Sequence, residues 1–151
     1  MLVCQGLRNQ RTVLEECLKW AHQRIVFGKP LITQPVIRAK IGRMIGLVEA
    51  CQAYLEQVTY QMNHMSYAEQ SKILGGPIGI LKTFTTRCST EIADNAVNIF
   101  GGRALQLTGM GRVIEMFNRT YKYDAILAGA EEVMVDMGVR QAMKFMPNAK
   151  L

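Results

Sequence analysis

The sequence contains few of the residues that build metal centres or disulfide frameworks. It has only two histidines and four widely scattered cysteines, with no C-x-x-C pair: His22, His64, Cys4, Cys17, Cys51 and Cys88. This set disfavours a zinc site, and the scattered thiols are typical of reduced, buried cysteines in an intracellular protein. The chain also lacks an apolar run long enough to cross a bilayer, and its first residues do not resemble a secretory signal. We therefore expect neither a bound metal nor membrane insertion.

The length and the charge of the chain set broader limits. With 151 residues, of which 49% are hydrophobic, the sequence suffices for one domain with a real core and excludes a disordered chain. The formal net charge of +6 is compatible with nucleic acid, a membrane surface or a phosphate-rich ligand. Because the basic residues are dispersed among acidic ones and no recognition motif accompanies them, we expect no nucleic-acid partner.

Apolar residues recur with a helical period along almost the whole chain. A first run extends from Val3 to Ile25, before Gly28 and Pro30 end it. A second run alternates steps of four and three, which predicts the seam of a long helix packed against its neighbours. The seam consists of Ile37, Ile41, Met44, Val48, Cys51, Leu55, Val58 and Met62.

Glycine pairs divide the rest of the chain. Gly75-Gly76-Pro77 predicts a break, after which a third amphipathic run continues until Gly101-Gly102 ends it. Two shorter runs cover about Arg112 to Tyr121 and about Ala130 to Met146. There is no strand-like alternation of useful length. The pattern therefore predicts an all-α fold, with three long antiparallel helices and two shorter ones in an up-and-down, four-helix-bundle-like domain.

We expect the domain to cover residues 1–146 and to leave residues 147–151 as an exposed tail. Helices of this length on a short chain leave apolar surface for other subunits or domains, which favours an oligomer or a piece of a larger protein. Gly42 and Gly46 lie four residues apart, off the seam of their helix. Glycine within a helix costs about 1 kcal/mol relative to alanine, so the pair predicts close approach of another helix.

Three segments are similar to landmarks of the acyl-CoA dehydrogenase family, in family order and with family spacing. His22–Pro30, followed by Gln34, resembles the turn after the first C-terminal helix. Asp94–Arg103 resembles the D-x-[AV]-x-Q-[IVL]-x-G-G run, and Tyr123–Met134 resembles the loop that enters the last helix. The resemblance extends from about Met1 to Met146, and it implies the C-terminal helical domain of an FAD-dependent enzyme.

The first landmark implies contacts with FAD for Arg24, Phe27 and Gln34. Taken alone, Arg24 near the end of a helix is a solvated charge that favours the helix dipole, and Phe27 is a core residue. By resemblance, Arg24 reaches across a subunit interface to the pyrophosphate of the flavin cofactor, which suits a guanidinium group. The resemblance also places Phe27 near the flavin nucleotide and Gln34 near the adenine half.

The second landmark implies an opposing set of cofactor contacts from Asn98, Gly101 and Gly102. The two glycines have two interpretations of equal weight. They form a helix C-cap, or their missing side chains let backbone N–H groups approach phosphate. Asn98 keeps the amide of the family's usual glutamine but is one methylene shorter.

The third landmark carries no catalytic base in this chain. In one branch of the family a glutamate directly precedes the loop glycine, whereas this sequence has Ala128 before Gly129. Glu131 and Glu132 follow the glycine and are interpreted as carboxylates in the first turn of a helix. The loop resembles that of the isovaleryl and long-chain dehydrogenases, whose base belongs to an E-R pair on the first C-terminal helix. By this resemblance the base would lie upstream of Met1, so that the domain is truncated at its N-terminal side. Ala128 and Gly129 would line the active-site loop.

The last three residues, Ala149-Lys150-Leu151, resemble the S-K-L signal for peroxisomal import. A chance tripeptide is the alternative interpretation. Because Pro147-Asn148 ends the preceding helix, we expect an exposed tail and a peroxisomal location. The mitochondrion, where this family usually resides, is the alternative.

Together these features predict the C-terminal domain of an FAD-dependent acyl-CoA dehydrogenase of fatty-acid β-oxidation. By resemblance, the whole enzyme removes the α-proton of a fatty acyl-CoA with a carboxylate, while a hydride leaves for the flavin. The implied partners are further copies in a dimer or tetramer, acyl-CoA, and an electron-transfer flavoprotein or oxygen as acceptor. The fragment alone is expected to be inactive. The alternative function, favoured by Ala128 and Asn98, is a non-catalytic oligomerisation or partner-binding module.

Overall fold

Seven α-helices account for most of residues 2–144, the part of the chain that the computed structural model describes. The helices are α1 (Leu2–Gln23), α2 (Pro35–His64), α3 (Tyr67–Ile73), α4 (Gly75–Phe100), α5 (Arg112–Thr120), α6 (Lys122–Ile126) and α7 (Glu131–Met143). Two-residue strands β1 (Ile25–Val26) and β2 (Lys29–Pro30) form a hairpin, and 3-10 helices cover Leu31–Thr33 and Gly101–Leu105. The predicted all-α bundle is confirmed. Met1, Met146 and the tail with Ala149-Lys150-Leu151 lie outside the described residues.

Helix α4 occupies the centre of the bundle and packs against α1, α2 and α7. The predicted seam of α2 faces this core, where Met44, Val48 and Cys51 are fully buried. Each large apolar side chain that is removed from water in this way stabilises the fold by about 1.5–3 kcal/mol. Met62 at the far end of the seam is 41% exposed, so α2 extends beyond the core that it helps to build.

The predicted break lies one residue earlier than Gly75-Gly76-Pro77, because these residues form the first turn of α4. Proline is tolerated there, since the first N–H groups of a helix have no partner within the helix. The chain instead turns at Leu74, between α3 and α4. Gly79, one turn further on, allows close packing of α7. A Cβ atom at Gly79 would lie 2.9 Å from the carbonyl oxygen of Met134.

Gly42 and Gly46 do not allow a close helix approach of the predicted kind within this chain. Both glycines lie on the exposed side of α2, and no atom of the described residues comes within 4 Å of a Cβ built at either position. The side of α2 that faces the core is the opposite one, which carries the seam residues. The cost of the two glycines therefore has no explanation in the described contacts.

The hydrophobic periodicity did not predict the short elements, although one of them has a clear local sequence signal. Helix α3 begins with a capping box in which Ser66 Oγ accepts the N–H of Glu69, while Glu69 Oε2 accepts the N–H of Ser66 at 2.8 Å. This S-x-x-E pattern is readable in the sequence. The hairpin and α6 are too short to show any period.

Two predictions from composition remain to be compared with the structure, namely buried cysteines and the lack of a membrane-spanning helix. Cys17, Cys51 and Cys88 are buried free thiols, and burial raises the pKa of Cys17 to about 12. Cys4 is exposed, which corrects the expectation that all four thiols are buried. None of the helices in residues 2–144 combines the length and the apolar character needed to cross a membrane.

Candidate cofactor-binding cleft

Arg24 lies where α1 gives way to the hairpin. Its backbone N–H donates to the carbonyl oxygen of Trp20 at 2.9 Å, as in a continuing helix. Its own carbonyl oxygen accepts the N–H of Leu31 at 2.7 Å, from the far side of the hairpin. The N–H and the carbonyl oxygen of Arg24 are therefore both hydrogen-bonded. The residue is exposed, so its guanidinium group is available to a ligand.

Phe27 stands at the tip of the hairpin with 91% of its surface exposed. Its interpretation as a core residue is therefore wrong for this chain. Phe27 and Gly28 have φ angles of 52° and 74°, the positive values that a two-residue hairpin turn requires. The left-handed conformation costs a residue with a side chain about 1–2 kcal/mol. The turn thus holds a bulky apolar side chain outward, and its contact with the flavin nucleotide stays a prediction.

Gln34 is the N-cap residue of α2 and is half-buried. Its backbone N–H donates to Leu31 at 3.0 Å, and its carbonyl oxygen accepts the N–H groups of Ile37 and Arg38, both at 3.1 Å. The side chain makes no capping hydrogen bond. The backbone of Gln34 therefore fixes the start of α2, and the predicted adenine contact of its side chain stays a prediction.

Gly101 ends α4, as the sequence predicts, with a φ of 64° that favours glycine. A Cβ built at Gly101 or Gly102 meets no atom of the described residues within 4 Å, so a ligand can approach this backbone freely. Asn98 lies one turn earlier and is exposed. Its Nδ2 donates to the carbonyl oxygen of Asp94 at 2.8 Å, which turns the amide back onto its own helix.

A cleft of about 640 Å³ lies between the end of α1 and the end of α4. Its lining consists of Trp20, Arg24, Val26, Leu31, Asn98, Ile99, Phe100, Gly101, Gly102, Arg103 and Gln106. Four predicted site residues therefore meet in one chain, namely Arg24, Asn98, Gly101 and Gly102, whereas Phe27 and Gln34 do not line the cleft. The sequence predicted two groups facing each other across a dimer. Within one chain, Arg24 shares a cleft with the second group, and the contact across a dimer stays a prediction.

The cleft is cationic. Arg24 and Arg103 both line it, and none of its described lining residues carries a carboxylate. Within residues 2–144 neither guanidinium group forms an ion pair. A pair of unneutralised guanidinium groups beside exposed backbone is a donor set that suits phosphate oxygens.

Among the lining residues that were not assigned a site role from the sequence are Trp20, Arg103 and Gln106. The guanidinium carbon of Arg103 lies 5.0 Å from the centre of the Trp20 ring. Trp20 also stacks on Phe100, with ring centres 5.2 Å apart and planes 15° from parallel. Two signals were available, because Trp20 is the single tryptophan of the chain and Arg103 directly follows the glycine pair.

The loop between α6 and α7 contains Ala128 and Gly129, the predicted lining of the active site. Their φ angles are 54° and 101°, so that both residues leave the regions preferred by ordinary side chains. A Cβ at Gly129 would lie 2.5 Å from the sulfur of Met134. This loop conformation therefore needs support from the surrounding structure.

Lys82 supplies part of that support from α4. It is only 5% exposed, and its Nζ donates to the carbonyl oxygen of Ala125 at 2.9 Å and to that of Gly129. Burial lowers the pKa of Lys82, while the nearby carboxylates of Glu131 and Asp124 act in the opposite direction. The sequence did not single out Lys82, because a lysine within an amphipathic run is normally solvated.

Glu131 fastens the other end of the loop. It lies in the first turn of α7, as predicted, but it is buried. Its carboxylate accepts the hydroxyl of Thr86 at 2.6 Å and pairs with Nε of Arg87 at 2.7 Å. The hydroxyl of Thr83 donates to its carbonyl oxygen at 3.2 Å.

Across residues 2–144, no group of three His, Cys, Asp or Glu side chains is placed to hold a metal ion.

The fold and the cleft define a helical-bundle domain with a cationic cleft at the ends of two helices. The chain belongs to the acyl-CoA dehydrogenase family, since the model of the family's C-terminal domain matches residues 1–143. The predicted family is therefore confirmed.

Known relatives agree with this assignment. An acyl-CoA dehydrogenase of Emericella nidulans is 31% identical over 137 residues, which cover 91% of this chain and 31% of the relative. Butyryl-CoA dehydrogenase of Megasphaera elsdenii has the same fold, with a TM-score of 0.79 and 20% identity over 94% of this chain and 35% of that one. The structure of PigA with FAD and proline gives a TM-score of 0.80 and 18% identity, over 94% and 35% of the two chains. The chain thus spans about a third of the length of these relatives.

Proposed function

We propose that this chain acts as the cofactor-binding helical domain of an FAD-dependent acyl-CoA dehydrogenase of fatty-acid β-oxidation. The observation that carries the proposal is the cationic cleft, in which Arg24 lies beside the exposed backbone of Gly101 and Gly102. Guanidinium groups and free backbone N–H groups are the donors that a diphosphate requires. The residues present therefore fit the diphosphate of FAD.

Each predicted site residue has a defined part in this proposal. Arg24 would hold the diphosphate, with Gly102 offering its backbone N–H group. The N–H of Gly101 already donates to the carbonyl oxygen of Val97, so Gly101 would contribute only an open approach to the backbone. Phe27 and Gln34 lie outside the cleft, where they would contact the flavin nucleotide and the adenine half. Asn98 would reach the cofactor only by releasing Asp94, because its amide is turned back onto α4. When bound, FAD supplies the acceptor for the substrate's β-hydride.

The loop with Ala128 and Gly129 would line the acyl site without taking part in the chemistry. An alanine side chain cannot accept a proton, so the α-proton must go to a carboxylate that this chain does not supply from the loop. Lys82 and Glu131 would keep the loop in place. We therefore expect no acyl-CoA dehydrogenation by the 151-residue chain alone.

The substrate and the partners belong to the same proposal. A fatty acyl-CoA is proposed from the family, and proline bound to PigA shows that relatives with this fold bind other molecules. Further copies of the chain would form a dimer or tetramer, and an electron-transfer flavoprotein or oxygen would take the electrons. The tail Ala149-Lys150-Leu151 supports a peroxisomal location, with the mitochondrion as the alternative.

Replacement of Arg24 by glutamine tests the cofactor site. A charged hydrogen bond contributes about 1.5–3 kcal/mol, so we expect Arg24→Gln to weaken FAD binding about tenfold or more. Isothermal titration of the chain with FAD measures this change. Arg8→Gln is the matched control, because Arg8 is an exposed arginine of α1 that does not line the cleft.

Two outcomes would count against the proposal. Equal FAD affinities of Arg24→Gln and Arg8→Gln would remove Arg24 from the site. If the wild-type chain forms oligomers but binds no FAD, the non-catalytic oligomerisation module becomes the better description.

A further inference from the structure

Arg103 has the position and the charge of a ligand-binding residue, although the motif that contains it assigns it no role. It follows Gly102 in the 3-10 helix at the end of α4 and lines the same cleft as Arg24. It is exposed, and among the described residues no carboxylate pairs with it. An anionic ligand bound beside this unpaired cation would be stabilised by electrostatic attraction.

The backbone and the side chain of Arg103 are both held in place. Trp20, which is 6% exposed, lies beneath the guanidinium group at 5.0 Å from ring centre to Cζ. Gly111 packs against the backbone of Arg103, since a Cβ at Gly111 would lie 2.5 Å from the carbonyl carbon of Arg103. A guanidinium group over the face of an aromatic ring is attracted to the ring and retains N–H donors for a ligand. Arg103 is therefore partly preorganised for a ligand.

The cleft receives few hydrogen-bond donors from Asn98, so Arg103 is the stronger donor on this side of the cleft. The amide of Asn98 donates to Asp94, so it offers the cleft little from its present position. Arg103 lies five residues later in the same cleft and carries several donors in a fixed fork.

We propose that Arg103, which lies over the Trp20 ring, is a second diphosphate-binding residue of the cleft and acts together with Arg24. The inference rests on the proposed function and names a residue for the same site. Because Trp20 is the single tryptophan, its fluorescence reports directly on the guanidinium group above it. Binding of a diphosphate to Arg103 must therefore change the emission of Trp20.

The test is a fluorescence titration of the full chain with ADP, adenosine and coenzyme A. We expect ADP to change Trp20 emission saturably and Arg103→Gln to weaken ADP binding about tenfold or more. Adenosine lacks phosphate, and its affinity should be the same in both proteins. Arg103→Lys retains the charge but loses the fork, and it should fall between wild type and Arg103→Gln. Raising the salt concentration should weaken ADP binding less in Arg103→Gln than in wild type.

Arg112→Gln is the matched control, since Arg112 is exposed and lines a neighbouring cleft that also contacts Trp20. Equal losses in Arg103→Gln and Arg112→Gln, or an unchanged ADP affinity in Arg103→Gln, would overturn the role of Arg103 while leaving Arg24 in place. An equal loss of adenosine affinity would also overturn it, because Arg103 would then act on the shape of the site. No ADP binding by wild type would overturn this inference together with the proposed function. Tighter binding of coenzyme A than of ADP, weakened in Arg103→Gln, would support the diphosphate role of Arg103 and contradict the assignment of the cleft to FAD.

Discussion

Gly111→Ala is expected to destabilise the bundle by about 2–4 kcal/mol, because the new methyl group would overlap backbone atoms. Gly111 is the buried N-cap residue of α5, and its missing side chain lets the 3-10 helix after α4 pass directly against it. A Cβ there would collide with the carbonyl group of Arg103 and lie 3.1 Å from the backbone nitrogen of Ala104. A flexible side chain could rotate away from such a contact, whereas a backbone can relieve it only by moving.

Urea unfolding measures this effect, with Gly102→Ala as the matched control. Gly102 belongs to the same 3-10 helix, but a Cβ there meets nothing within 4 Å among the described residues. We expect the control to change stability by less than about 1 kcal/mol. Movement of the Arg103 backbone should also alter Trp20 emission in Gly111→Ala. Equal unfolding midpoints for the two variants would contradict the close approach of Gly111 to Arg103.

The second large effect is expected from Lys82→Met, which removes the ammonium group that holds the loop between α6 and α7. The carbonyl oxygens of Ala125 and Gly129 would lose their donor, and a buried polar group left without a partner costs about 1–3 kcal/mol. We expect a loss of about 2 kcal/mol overall, since methionine no longer bears the cost of burying a charge. Because the lost contacts are local, amide exchange should rise about tenfold or more across residues 125–131.

Hydrogen exchange measured by mass spectrometry separates this local effect from general unfolding. Peptides from the core of α2 should exchange at nearly wild-type rates in Lys82→Met. Lys72→Met replaces an exposed lysine of α3 and serves as the control, with no expected change in the loop. If residues 125–131 keep wild-type protection in Lys82→Met, Lys82 does not hold the loop.

The long helices could be predicted from the sequence because their burial is periodic. The seam of α2 predicted Met44, Val48 and Cys51 as core residues, and all three are fully buried. Gly101 ends α4 for the reason that the sequence suggests, a positive φ. The break before α4 lies one residue ahead of Gly75-Gly76-Pro77, because glycine and proline fit the first turn of a helix as well as a break.

The site was predictable to the extent that local motifs carry it. Arg24, Asn98, Gly101 and Gly102 come together because α1 and α4 end at the same place in the bundle. Phe27 could not be recognised as exposed, since its exposure follows from the left-handed turn of the hairpin. The contacts of Lys82 and Glu131 join residues more than 40 positions apart, and no local pattern encodes such contacts.

The central claim is that the cleft binds FAD through its diphosphate, and equilibrium dialysis of the chain against FAD and riboflavin tests it most directly. Riboflavin carries the flavin ring but lacks the diphosphate and the adenine half. We predict saturable binding of FAD to the chain and no measurable binding of riboflavin at the same concentrations. Riboflavin binding as tight as that of FAD, or no binding of FAD, would contradict the claim.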